Sequence, residues 1–169
     1  MHDVLSFAAS GRVRDEALQR ACYVLRFMLA DRPSIRQSFY ATQARITVLA
    51  HDETLRDLPE YDWLPRVFDA SVRALAGTPL VPVTAIGEEN LLCFRNGTNS
   101  FEDILVRELA ISILLNAVPM TMPKLETQVR RNFRRARDNE LWTGTHAGET
   151  QELYFVSQPF PLSVCLVPT

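Results

Sequence analysis

The chain has 169 residues, of which 47% are hydrophobic and 22% charged, and its formal net charge is −2. That length suits one domain spanning 1–169, able to bury roughly two thirds of its unfolded surface. The small negative charge excludes a general attraction to nucleic acid or anionic membrane, and no apolar run reaches the length of a membrane span.

In chain order, the N-terminus MHDVLSFAASGRVRDE lacks a basic segment followed by a long apolar core, so no secretion signal is expected and the cytoplasm is the expected location. Ala17, Leu18, Ala21, Val24, Leu25, Met28 and Leu29 repeat at the spacing of one helix face, which predicts a helix over 15–31. Pro33 suits the first turn of a second helix reaching about Tyr40. The β-branched run RITVLA (45–50) predicts a strand. The segment 52–65 reads as polar turns, and 67–75 as a helical turn or irregular chain. Residues 81–94 predict two strand-like pieces around Gly87-Glu88-Glu89-Asn90.

Ser100, with Asp103 three residues on, reads as a capping pair. The helix it opens is expected to run to about Val118, before Pro119 and Pro123. Its apolar residues surround most of the circumference, so it is expected to be central and buried. A long amphipathic helix is expected over 124–141 and another over 149–158. An apolar, proline-punctuated tail over about 158–169 reads as an extended segment. Helices, a small strand region and more helices predict an α+β fold.

The cysteines Cys22, Cys93 and Cys165 are odd in number and far apart. They exclude a disulfide framework or a cysteine-based zinc site, and read as reduced, packed thiols. Seventeen of the eighteen basic residues are arginine, Lys124 being the exception, which suggests a GC-rich, bacterial gene.

Five stretches, ACYVLRFMLADRPSIRQ, DETLRDLPE, GEENLL, FEDILVRELAISI and LWTGTHAGETQELYF, together resemble the zincin-type zinc metallopeptidase-like domains. The resemblance follows the family's order and covers about Glu16 to Phe155. It implies a zincin-like fold, a small mixed sheet packed on a central buried helix with flanking helices. In the family that helix carries HExxH, two zinc-binding histidines and the glutamate that activates the metal-bound water. Here RELAI stands in place of HELAH. Arg107 falls on the first histidine, Glu108 on the glutamate and Ile111 on the second histidine. The third ligand position falls on Leu153, with Glu152 beside it. The second glutamate of that later motif falls on Ser157, and a family tyrosine falls on His146. Zinc needs about three nitrogen, sulfur or oxygen ligands, and isoleucine and leucine supply none. Arginine is permanently cationic and repels the ion. No metal and no other cofactor is therefore expected, and zinc peptidase activity is not. Residual zinc hydrolysis through Glu108, Glu152 and His146 is the least favoured alternative.

Glu108 in an apolar pocket suits proton abstraction, while its bland reading is a structural ion pair. Arg107, which adjacent helical positions do not force onto Glu108, is a candidate anchor for an anionic or carbonyl oxygen. His146 reads either as a second acid/base group or as an exposed loop histidine, and His51, beside Asp52 and Glu53, as a surface group. Ile111, Leu153, Tyr154, Glu89, Asn90 and Ser157 are candidate pocket-lining positions. Glu88, Glu89 and Asn90 read equally as a turn or strand end. Tyr154, Phe155, Trp63 and Trp142 read as core or pocket walls. The arginines of RRNFRRARD read as a solvated helix face rather than a nucleic-acid site. Two functions remain: a metal-free small-molecule pocket with acid/base chemistry of cyclase, isomerase or lyase type, or a non-catalytic binder of a peptide or protein. Oligomeric state is not legible.

Overall fold

The structure, a computed structural model, describes residues 6–92 and 103–140. Short strands sit between helices whose apolar faces turn onto them. The elements are β1 (Ser6–Ala9), α1 (Asp15–Met28), α2 (Pro33–Ala41), β2 (Arg45–Leu49), β3 (Ala74–Leu75), β4 (Val83–Gly87), α3 (Glu88–Leu91), α4 (Ile104–Asn116), α5 (Val118–Thr121) and α6 (Leu125–Asp138). The fold is mixed, with a four-stranded sheet in the order β1-β2-β4-β3. β1, β2 and β4 are parallel, with Ile46 opposite Phe7 and Thr84, and β3 runs antiparallel to β4 at the edge.

The two central strands are buried on both faces, as parallel strands require. One face carries Ile46, Val48 and Ile86 against Ala17, Ala21, Leu25, Phe39, Leu105 and Leu109 of α1, α2 and α4. Leu49, Val83 and Ala85 pack instead with Leu55 and Tyr61. Leu55 and Tyr61 sit in short 3-10 turns within the segment read as polar.

The helices at 15–28, 33–41 and 125–138 and the strand at 45–49 form where helical spacing, the Pro33 first turn and the β-branched run predict them. Several expectations differ. β1 was not anticipated, because SFAA has too few residues to show a period and acquires strand geometry from pairing with β2. The stretch after Gly87 is not a second strand but the single helical turn α3. There the Glu88 carboxylate accepts the backbone N–H groups of Arg14 and His51 instead of extending the ladder. α4 begins at Ile104, because Asp103 itself is the cap and accepts the Val106 N–H. Ser100 lies outside the described residues, as do the expected helix at 149–158 and the tail. Pro119 opens α5 rather than merely ending α4.

α4 is the centre of the fold, with no residue from Asp103 to Val118 exposed. No helix among the described residues is long and apolar enough to cross a membrane.

Candidate functional site

An apolar helix buried at the centre makes each of its polar side chains costly unless paired. On α4 the buried polar residues are Glu108, Ser112 and Asn116. They recur every four residues, so they form one stripe down the helix. The spacing E-x3-S-x3-N lies in the sequence and marks this face.

Glu108 is 7% exposed. Arg107 folds onto it, with Nε at 2.9 Å and Nη2 at 2.8 Å from Oε1. The adjacent pair is thus made. The long arginine stem wraps back where the Cα–Cβ directions alone place neighbouring residues apart. Both contacts fall on Oε1, and no described residue donates to Oε2.

One turn on, the Ser112 hydroxyl oxygen closes against Gly77: a Cβ there would lie 3.0 Å from it and 3.0 Å from the Val83 nitrogen. Asn116 Nδ2 donates to the Gly77 carbonyl at 3.0 Å and the Ser112 carbonyl at 2.8 Å. Its Oδ1 is buried with no hydrogen-bond partner among the described residues. The stripe therefore lies against the β3–β4 connection.

Tyr61 is electrostatically coupled to the stripe. Its hydroxyl donates to the Val83 carbonyl at 2.5 Å. Burial first, and the Glu108 charge second, push its phenol up to about 12. Sequence reading passed over Tyr61 because it lies among polar turns.

A second cluster sits where the chain leaves the parallel strands. Arg73 holds both Glu89 oxygens, at 2.8 and 3.0 Å, and donates to the carbonyls of Ala50 and Glu53. Glu53 accepts the Ala50 N–H at 2.7 Å and Arg12 Nη2 at 3.0 Å. Burial, the largest single influence on Glu53, pushes its carboxyl up. The bonds from Ala50, Ser10 and Arg12 together outweigh it, so the carboxyl titrates below its usual value. These contacts tie the turns after β1, β2 and β4 to one another. Neither Arg73 nor Glu53 was singled out, since a lone arginine or glutamate in a turn carries no pattern.

The structure thus places Arg107 and Glu108 together and gives Glu89 to Arg73. Asn90 is half-buried on α3, and Ile111 is half-buried one turn after Arg107. His51 is exposed, with Nδ1 3.9 Å from Glu88 Oε1. Trp63 is no core wall: it is 66% exposed, its indole N–H bonded to the Glu60 carbonyl. His146, Glu152, Leu153, Tyr154, Ser157, Phe155 and Trp142 lie outside the described residues. On α6, Arg137 pairs with Asp138 at 3.0 Å.

Among the described residues, no three His, Cys, Asp or Glu side chains are grouped to hold a metal ion. Arg107 and Ile111 do not fit a zinc ion, since one is cationic and the other has no donor atom. No family model, curated protein or solved structure matches the chain.

Proposed function

We propose that the chain is a zincin-like domain without its metal, in which Glu108 is the acid/base group of a small-molecule pocket. One observation carries this reading: a buried carboxylate has Oε1 held by Arg107 while Oε2 meets no described donor. An oxygen so placed accepts a proton or hydrogen bond from a ligand, and its partner oxygen keeps the carboxylate oriented. Proton removal at one position and return at another supports an isomerisation, elimination or cyclisation with no redox cofactor. Arg107 is then a positioning residue. Ile111 and Asn90 are proposed to border the ligand, with His146, Leu153, Tyr154 and Ser157 assigned to the same pocket by the resemblance. Glu89, engaged by Arg73, would act through the shape of the α3 turn.

A second reading rests on β3, a two-residue antiparallel edge strand next to α4. Such an edge can take an extended peptide as an added strand.

Native mass spectrometry of the full chain purified from its own host, with the denatured mass as reference, tests the first reading. The expected result is a small organic adduct, lost in Glu108→Gln while circular dichroism shows a folded chain. A stoichiometric zinc increment would overturn it, and so would an adduct retained in full by Glu108→Gln. An adduct of peptide mass would favour the β3 reading.

A further inference from the structure

α1 buries Ala17, Ala21, Val24 and Leu25 and turns a second ordered face to solvent. Tyr23 and Phe27 are 60% and 71% exposed. They stand one turn apart with their rings stacked, centroids 6.3 Å apart and planes 20° apart. The Arg20 guanidinium lies 5.9 Å from the Tyr23 ring centre and is itself paired with Asp103 at 3.4 Å. The rings are therefore held in place with no described residue covering them. Beside them runs a groove of about 610 Å³ lined by Gln19, Cys22, Tyr23, Arg26 and Phe27.

The polar residues of this face are distributed unevenly. Asp15 and Glu16 lie in the first turn and Arg26 in the last. All three are exposed, and none forms an ion pair among the described residues. Glu16, Gln19, Tyr23 and Arg26 follow the three–four spacing of a helix-pairing seam.

We propose that this face is the contact of a two-fold homodimer, with α1 of one copy antiparallel to α1 of the second. A two-fold interface must be complementary to itself, and this face is. With the helices crossing on the exposed face midway between Gln19 and Tyr23, Glu16 faces Arg26 of the second copy and Arg26 faces its Glu16. Gln19 faces Tyr23 of the second copy, whose ring enters the groove, and the reciprocal contact is made by symmetry. Parallel packing would instead set like charges against each other. Antiparallel macrodipoles also align favourably. The helix has 14 residues, a length of about 21 Å, so the interface is small and the dimer dissociates on dilution.

Analytical ultracentrifugation of the full chain over a dilution series tests this. A monomer–dimer equilibrium is expected, weakening as salt rises. Arg26→Glu should raise the dissociation constant by about tenfold or more, because two attractive contacts become repulsive. Glu16→Arg together with Arg26→Glu should restore association. Phe27→Glu should weaken it independently of charge at position 26. These residues are exposed, so each variant should keep the wild-type circular dichroism. A monomer at every concentration overturns the proposal, whether another segment or nothing covers the face. So does a dimer indifferent to Arg26→Glu and Phe27→Glu, or one that the double charge exchange fails to restore.

Discussion

At Glu108 the difference between a structural ion pair and a working carboxylate comes down to one oxygen. Arg107 accounts for Oε1, and no described residue donates to Oε2. Tyr61 reports on that carboxylate from across the site, because the Glu108 charge helps push its phenol up to about 12. The folded value lies above the ordinary tyrosine value of about 10. Stability supplied by keeping the phenol protonated is therefore complete below about pH 10 and is lost as pH rises toward about 12. Glu108→Gln removes the repelling charge but not the burial, so ultraviolet difference titration should show one tyrosine ionising earlier than in the wild type. An unaltered tyrosinate titration would mean that Glu108 carries no charge felt at Tyr61. Asn116 shows the same economy in reverse. Its Nδ2 serves two carbonyls while no described residue donates to its Oδ1, a cost of about 1–3 kcal/mol inside a packed helix.

Between elements, the keystone is Arg73. One guanidinium closes the chain before β3 onto the turn after β2 and onto α3. Its hydrogen bonds to Glu89, the strongest influence on it, keep its pKa above the usual arginine value despite burial. Lysine has no planar fork and cannot serve two carbonyls and a bidentate carboxylate at once. Arg73→Lys should cost about 3 kcal/mol in denaturant unfolding, and Arg73→Ala at least as much, because Glu89 and two carbonyls lose their donors. A midpoint shift worth less than about 0.5 kcal/mol would show that these turns hold without it. Gly87 belongs to the same clasp: a Cβ there would run into the Glu89 carboxylate that Arg73 holds.

For the molecule as a whole, acid stability follows from the clasp. The Glu53 carboxyl titrates below its usual value, so its contribution is present above about pH 4.3, the ordinary glutamate value, and is lost as pH falls through the lower folded one. Glu53→Gln should lower stability at neutral pH and flatten the acid limb of the stability profile, with little change in slope above about pH 5. An acid limb as steep as wild type would place the proton uptake elsewhere. The same clasp stands at the exits of the three parallel strands, where open sheets that bind ligands commonly place their sites. Here Arg73, Glu53 and Glu88 tie that end together with internal hydrogen bonds.

Local signals were enough for α1 and α6 (helical spacing), for α2 (Pro33 at its first turn), for β2 (a β-branched run) and for the burial of α4 (apolar residues on most of its circumference), because each signal lies within the element's own residues. Long-range contacts decided the rest. β1 is a strand only because β2 is beside it, and α3 is a helical turn because Glu88 turns back to Arg14 and His51. Glu108 was legible as the residue to watch, but its partner was not. Helical spacing describes where side chains start, whereas Arg107 reaches Oε1 through the length of its stem. Tyr61, Arg73 and Glu53 left no trace in the sequence because their roles exist only between segments. A hydrogen bond joining residues 20 or more positions apart has no local period, and it forms only when the surrounding core brings its two ends together.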